Sequence, residues 1–180
     1  MRPNPFAFLS RRRFLAVSLA GLSLAVGGGT GGLLALRGTV PHVEGLRCLS
    51  DRQFRTLCAL AQVMLPAGPV FPLGALELDL PRAMDRFLAD EPGYIAKDLR
   101  TALTLLEFGP LLFDFRFTTF GTLPEPARLA HFESWCHSGR LLRRQVALAF
   151  RKFFCLVYYD HEAIWSHIGY PGPRLPRQDP

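Results

Sequence analysis

Arg140–Tyr159 reads RLLRRQVALAFRKFFCLVYY, the most apolar part of the chain beyond its N-terminal run. Val146, Ala149, Phe150, Phe153, Phe154, Val157 and Tyr158 recur at helical spacing and wrap much of a helix circumference, as a central core helix should. The same period extends upstream. Ser50 and Gln53 form a capping box, with Leu49 and Phe54 placed as its hydrophobic staple, so a helix begins there. Phe54, Leu57, Cys58, Ala61, Met64 and Leu65 give it one apolar face until Pro66 ends it. Asp79, as N-cap, and Pro81 open a second helix with Ala83, Met84, Phe87 and Leu88 inward, and Glu91-Pro92-Gly93 stops it. A third runs from Tyr94 to Phe108 on Ile95, Leu99, Ala102, Leu103 and Leu106 before Gly109-Pro110 interrupts. In Leu111–Thr119, Phe113, Phe115 and Phe117 alternate with Asp114, Arg116 and Thr118, which predicts an extended segment whose Phe side either packs inward or meets a partner. Thr122 and Glu125 suggest another capping box for a helix to His137, with Leu129, Phe132, Trp135 and Cys136 inward. Asp160 is placed to cap a short last helix through Trp165 and His167. The expectation is an all-α, single small domain of five to six helices.

The N-terminus is a different kind of sequence. Ser10-Arg11-Arg12-Arg13-Phe14-Leu15 matches the twin-arginine export motif S-R-R-x-F-L, with Ser10, Arg11, Arg12, Phe14 and Leu15 as its signal residues. The 23 residues from Phe14 to Leu36 carry no charge, and Arg37 closes the run. That length suffices for a bilayer, which takes roughly 20 apolar residues as a helix. Six of the 23 are glycine, however, and a helix begun at Phe14 should weaken near Val26. Residues 1–37 are therefore read as a twin-arginine signal segment or retained anchor, 38–48 as a linker, 49–173 as the helical domain and 174–180 as a loose tail.

The formal charge of +6 suggests a polyanion partner until it is placed along the chain. Five of the 21 basic residues lie in residues 1–37, where no acid occurs, leaving 16 basic against 15 acidic groups in the rest. No electrostatic footprint for nucleic acid remains on the body. Cys48, Cys58, Cys136 and Cys155 form no C-x-x-C, haem-attachment or iron–sulfur run, and at most one disulfide is expected. Cys58 and Cys155 lie within apolar helical patterns suited to buried free thiols. His131 and His137 are six apart, as are His161 and His167, which splays each pair over different helix faces rather than converging on a metal. No nucleophile motif, phosphate loop or dinucleotide fingerprint is present, so neither catalytic residues nor a cofactor are expected in this chain.

Several strings resemble the gluconate 2-dehydrogenase subunit 3 family. They are Leu49-Ser50 through Met64-Leu65-Pro66, Leu80-Pro81…Asp85-Arg86-Phe87-Leu88, Phe120…Leu123…Arg128, and Tyr158-Tyr159…Trp165-Ser166-His167-Ile168-Gly169-Tyr170-Pro171-Gly172-Pro173. The likeness departs at Gly68–Leu76, which is apolar where the family carries a more polar, acidic segment. The resemblance implies a small, mostly helical, noncatalytic subunit of a periplasmic dehydrogenase associated with the inner membrane. It implies an FAD-dependent sugar, sugar-acid or polyol oxidoreductase as large partner, often with a cytochrome c subunit. The FAD belongs to that partner, and the small subunit supplies the signal read by the twin-arginine translocon. The competing reading is a free-standing, membrane-anchored exported protein that binds a small ligand or metal.

The tail residues Trp165, Ile168, Gly169, Tyr170, Pro171, Gly172 and Pro173 are dense in large apolar groups. They are expected either to close over the core helix as a lid or to present an aromatic anchor to the large subunit.

Overall fold

The computed structural model describes residues 40–69 and 72–172. The export-motif residues Ser10, Arg11, Arg12, Phe14 and Leu15, the apolar run and Pro173 lie outside them. The described residues form seven α-helices and no strand: α1 Asp51–Met64, α2 Leu80–Asp90, α3 Gly93–Glu107, α4 Gly109–Asp114, α5 Glu125–Cys136, α6 Leu141–Tyr159 and α7 Glu162–Trp165. A 3-10 turn, Phe120–Thr122, leads into α5. The all-α expectation holds, with one helix more than expected.

α1 starts as its local sequence dictates. The Ser50 hydroxyl accepts from Gln53 N, the Gln53 side chain accepts from Ser50 N, and both staple residues are buried. This helix is the hub: it packs against α2, α3, α5 and the 3-10 turn, whereas α6 packs against α5, α2 and α7. The Arg140–Tyr159 stretch is thus a long wall of the bundle rather than its centre. Its inner face does supply Phe150, Phe153, Phe154 and Tyr158 to one continuous core with Leu57, Leu60, Met84, Leu103 and Trp135. The apolar loop after α1 folds back on that core. Ala75 is buried, Ala75 N donates to Leu65 O, and the Tyr158 hydroxyl donates to Leu73 O at 2.8 Å.

Three start signals resolve differently from expectation. Asp79 stands at the N-cap of α2 in the left-handed region (φ 48°) and makes no capping bond; its carboxylate lies 3.9 Å from Arg82 instead. Thr122 pairs with Thr119 around the 3-10 turn, so α5 begins at Glu125 behind Pro124. Leu129 on α5 is exposed. His161 caps α7 in place of Asp160, its ring nitrogen accepting from Ala163 N. The Leu111–Thr119 stretch is not extended throughout. Gly109–Asp114 is helical with Pro110 in its first turn, Phe113 packs against Trp135, and Phe115 and Phe117 point to solvent.

Buried polar groups tie the pieces together. Asp85 on α2 is buried, and its carboxylate accepts from three successive backbone N–H groups: Arg47 at 2.7 Å, Cys48 at 3.0 Å and Leu49 at 2.7 Å. Glu107, closing α3, accepts from the Thr56 hydroxyl and from Gly121 N, and faces Arg52 at 3.7 Å. Arg128 donates to Leu123 O and to Gln62, fastening the entry of α5 to α1.

Candidate interaction surface

α6 is apolar on two opposite faces. The inner one fills the core. Leu141, Leu148, Leu156 and Tyr159 lie within about a hundred degrees of one another on the outer side of the helix, at 3.6 residues per turn, and all are exposed. Lys152 and the exposed thiol of Cys155 share that stripe. A monomer leaves large apolar side chains outside singly; a continuous stripe marks a surface that meets something else.

The tail completes a concavity on this stripe. α7 is one turn long and the chain then hooks back. The Trp165 indole donates to Tyr159 O at 2.9 Å, Tyr170 N donates to Trp165 O at 2.8 Å, and the two rings meet edge-on with centroids 5.5 Å apart. Gly169 and Gly172 adopt φ of +68° and +92°, which a side chain would strain, and a Cβ on Gly172 would stand 3.3 Å from the Trp165 ring. The result is an open concavity of about 690 Å³ between Leu156, Tyr159, Trp165, Ile168 and Tyr170, with Lys152 and Asp160 at its rim.

Trp165 is half-buried, hydrogen-bonded and structural; Ile168, Tyr170 and Pro171 stay exposed. The stripe on α6 escaped the sequence reading, which assigned the whole helix to the core. Cys155, expected inside, is outside; Cys58 is half-buried, and burial pushes its thiol up to about 11, so it stays protonated and inert.

One His–Asp pair has the look of catalytic machinery. His131 Nδ1 lies 2.7 Å from Asp114 Oδ2, joining α5 to α4. The far nitrogen, Nε2, is buried with no partner, facing Gly109 and the Trp135 ring. No hydroxyl or thiol is bonded to it among the described residues, and the pair ties α5 to α4. Burial, the largest influence, holds the imidazole below its ordinary 6.5 against the opposing pull of Asp114, and nearby Arg143 and Arg116 add smaller pushes in the same direction as burial. A folded-state pKa below the unfolded one means that the unfolded chain takes the proton first. The melting temperature should therefore hold above about pH 6.5 and fall as pH drops below it. A thermal-melt series of His131→Asn showing an unchanged pH slope would contradict this assignment.

The described residues contain no group of three or more His, Cys, Asp or Glu side chains arranged to hold a metal ion. No family model, curated protein or solved structure matches this chain.

Proposed function

We propose that this chain is the noncatalytic small subunit of an exported FAD-dependent dehydrogenase, carrying the twin-arginine signal for a large flavoprotein and docking it through α6 and the tail. The order of the Leu49, Leu80, Phe120 and Tyr158 motifs and the Ser10–Leu15 signal support the reading at the level of sequence. The observation that carries it is the second apolar face of α6. A short helical body has committed Leu148, Leu156 and Tyr159 to solvent and built a hook that frames Leu156 and Tyr159 with Ile168 and Tyr170. Aromatic anchors and apolar side chains, with Lys152 and Asp160 among the lining, have the anatomy of a protein–protein interface.

The substrate would be oxidised on the partner, and this chain would contribute export and assembly. Affinity isolation of the full chain from its own cells should yield a second polypeptide carrying FAD, seen as flavin absorbance and released by acid. Recovery of the chain alone, or turnover and bound cofactor in the chain without a partner, would refute the proposal.

A further inference from the structure

A second concavity, of about 600 Å³, lies away from α6, and its lining is of the opposite chemistry. Arg52 and Arg55 from α1 and Arg128 from α5 face it, and Glu107 is the one carboxylate among its described lining residues. That carboxylate is buried beneath Thr56 and Gly121 and faces Arg52 at 3.7 Å, and Arg128 donates to Leu123 O and Gln62, so the mouth carries three guanidinium groups to one carboxylate. At the rim stands Phe117, 86 % exposed, next to exposed Arg116 and Phe115, which is 84 % exposed. Two phenylalanines so bare, with an arginine between them, are out of place on a surface that faces only water.

Val40 lines the same concavity. It is the first described residue and stands four positions after Leu36, where the uncharged run of 23 residues ends. Four extended residues reach at most about 14 Å. Whatever holds that run therefore lies close to Phe117 and the arginines.

We propose that the Phe115–Arg116–Phe117 loop and the arginine-lined mouth beside Val40 rest on an anionic lipid bilayer, with the two rings among the acyl chains and the Arg55 and Arg116 guanidinium groups on headgroup phosphates. This rests on the reading of residues 14–36 as a retained anchor. Aromatic groups settle at the boundary of headgroup and acyl chain, and arginine stems lie along apolar surface while their heads stay with phosphate. The body would then stand on the membrane by this end, with the α6 surface left open to the large subunit.

The test reconstitutes the full chain carrying Phe117→Trp in phosphatidylglycerol–phosphatidylcholine vesicles whose acyl chains are brominated, with the unsubstituted chain as the baseline for Trp135 and Trp165. The added indole should be quenched well beyond that baseline, because a group inserted at the boundary of headgroup and acyl chain comes within reach of the bromines. Arg55→Glu in the same background should relieve that quenching in anionic vesicles. Phe117 is exposed, so neither change disturbs the core. Quenching no greater than baseline in a chain that still floats with the vesicles overturns the proposal and leaves the loop to a protein partner. A chain that does not float with them overturns the anchor as well. Neither outcome touches the flavoprotein assignment, which is read from FAD capture.

Discussion

Replacing Asp85 with alanine should cost the chain about 3 kcal/mol or more, the largest loss expected from removing one side chain outside the apolar core. The Asp85 carboxylate accepts from the N–H groups of Arg47, Cys48 and Leu49, and it is buried. Hydrogen bonds to a charged acceptor are among the strong ones, and each buried N–H left bare carries a desolvation penalty. The consequence reaches beyond α2. Those three donors set the path by which the chain enters the Ser50 cap, so losing them should fray the start of α1, the hub of the bundle. Asp85→Asn keeps one carbonyl oxygen and should lose less than Asp85→Ala. Urea melts of the two variants measure both. Equal midpoints for Asp85→Ala and the unsubstituted chain would show that water replaces the carboxylate freely.

Gly109→Ala is expected to come second, with a net loss on the order of 2 kcal/mol and a fall of several degrees in Tm. The substitution normally favours a helix, and here the sign reverses for a steric reason. A Cβ at Gly109 would stand 2.7 Å from Trp135 Cζ2 and 2.8 Å from His131 Nε2. Neither ring has room to retreat. Trp135 is fully buried, meets Phe113 edge-on and is covered by Arg143, while His131 is tied to Asp114. Shrinking the indole should make space, so Gly109→Ala should cost less in a Trp135→Phe background than alone. Additive losses in that double-mutant cycle would show that the close approach relaxes elsewhere.

What could be read from the chain divides by how local the cause is. The Ser50–Gln53 box and the Leu49–Phe54 staple were legible because every participant lies within five residues, and α1 begins as they require. The apolar faces of α2 and α3 were legible from period alone. The 109–119 stretch misled for a related reason: three phenylalanines at alternate positions mimic a strand, yet Gly109 and Pro110 both suit a first helical turn, and only Phe113 finds the core. Asp85 sat inside a recognised string without a stated role, since its partners lie 36 to 38 positions upstream. The α6 surface was hidden by its own richness. With apolar residues on both sides of one helix, the pattern says that two faces will be covered, and only the fold says which is covered from within.

The account turns on what covers the other. Leu156→Arg places a charge at the centre of the exposed stripe without touching the core, and Tyr170→Ala removes the aromatic rim of the hook. The decisive measurement is the FAD recovered per chain when each full-length variant is isolated from its own cells, alongside its melting temperature. Hot-spot losses of about 2 kcal/mol or more predict at least a tenfold drop in co-isolated FAD, with melting temperatures unchanged. Undiminished FAD in both variants would contradict the α6 surface as the docking site.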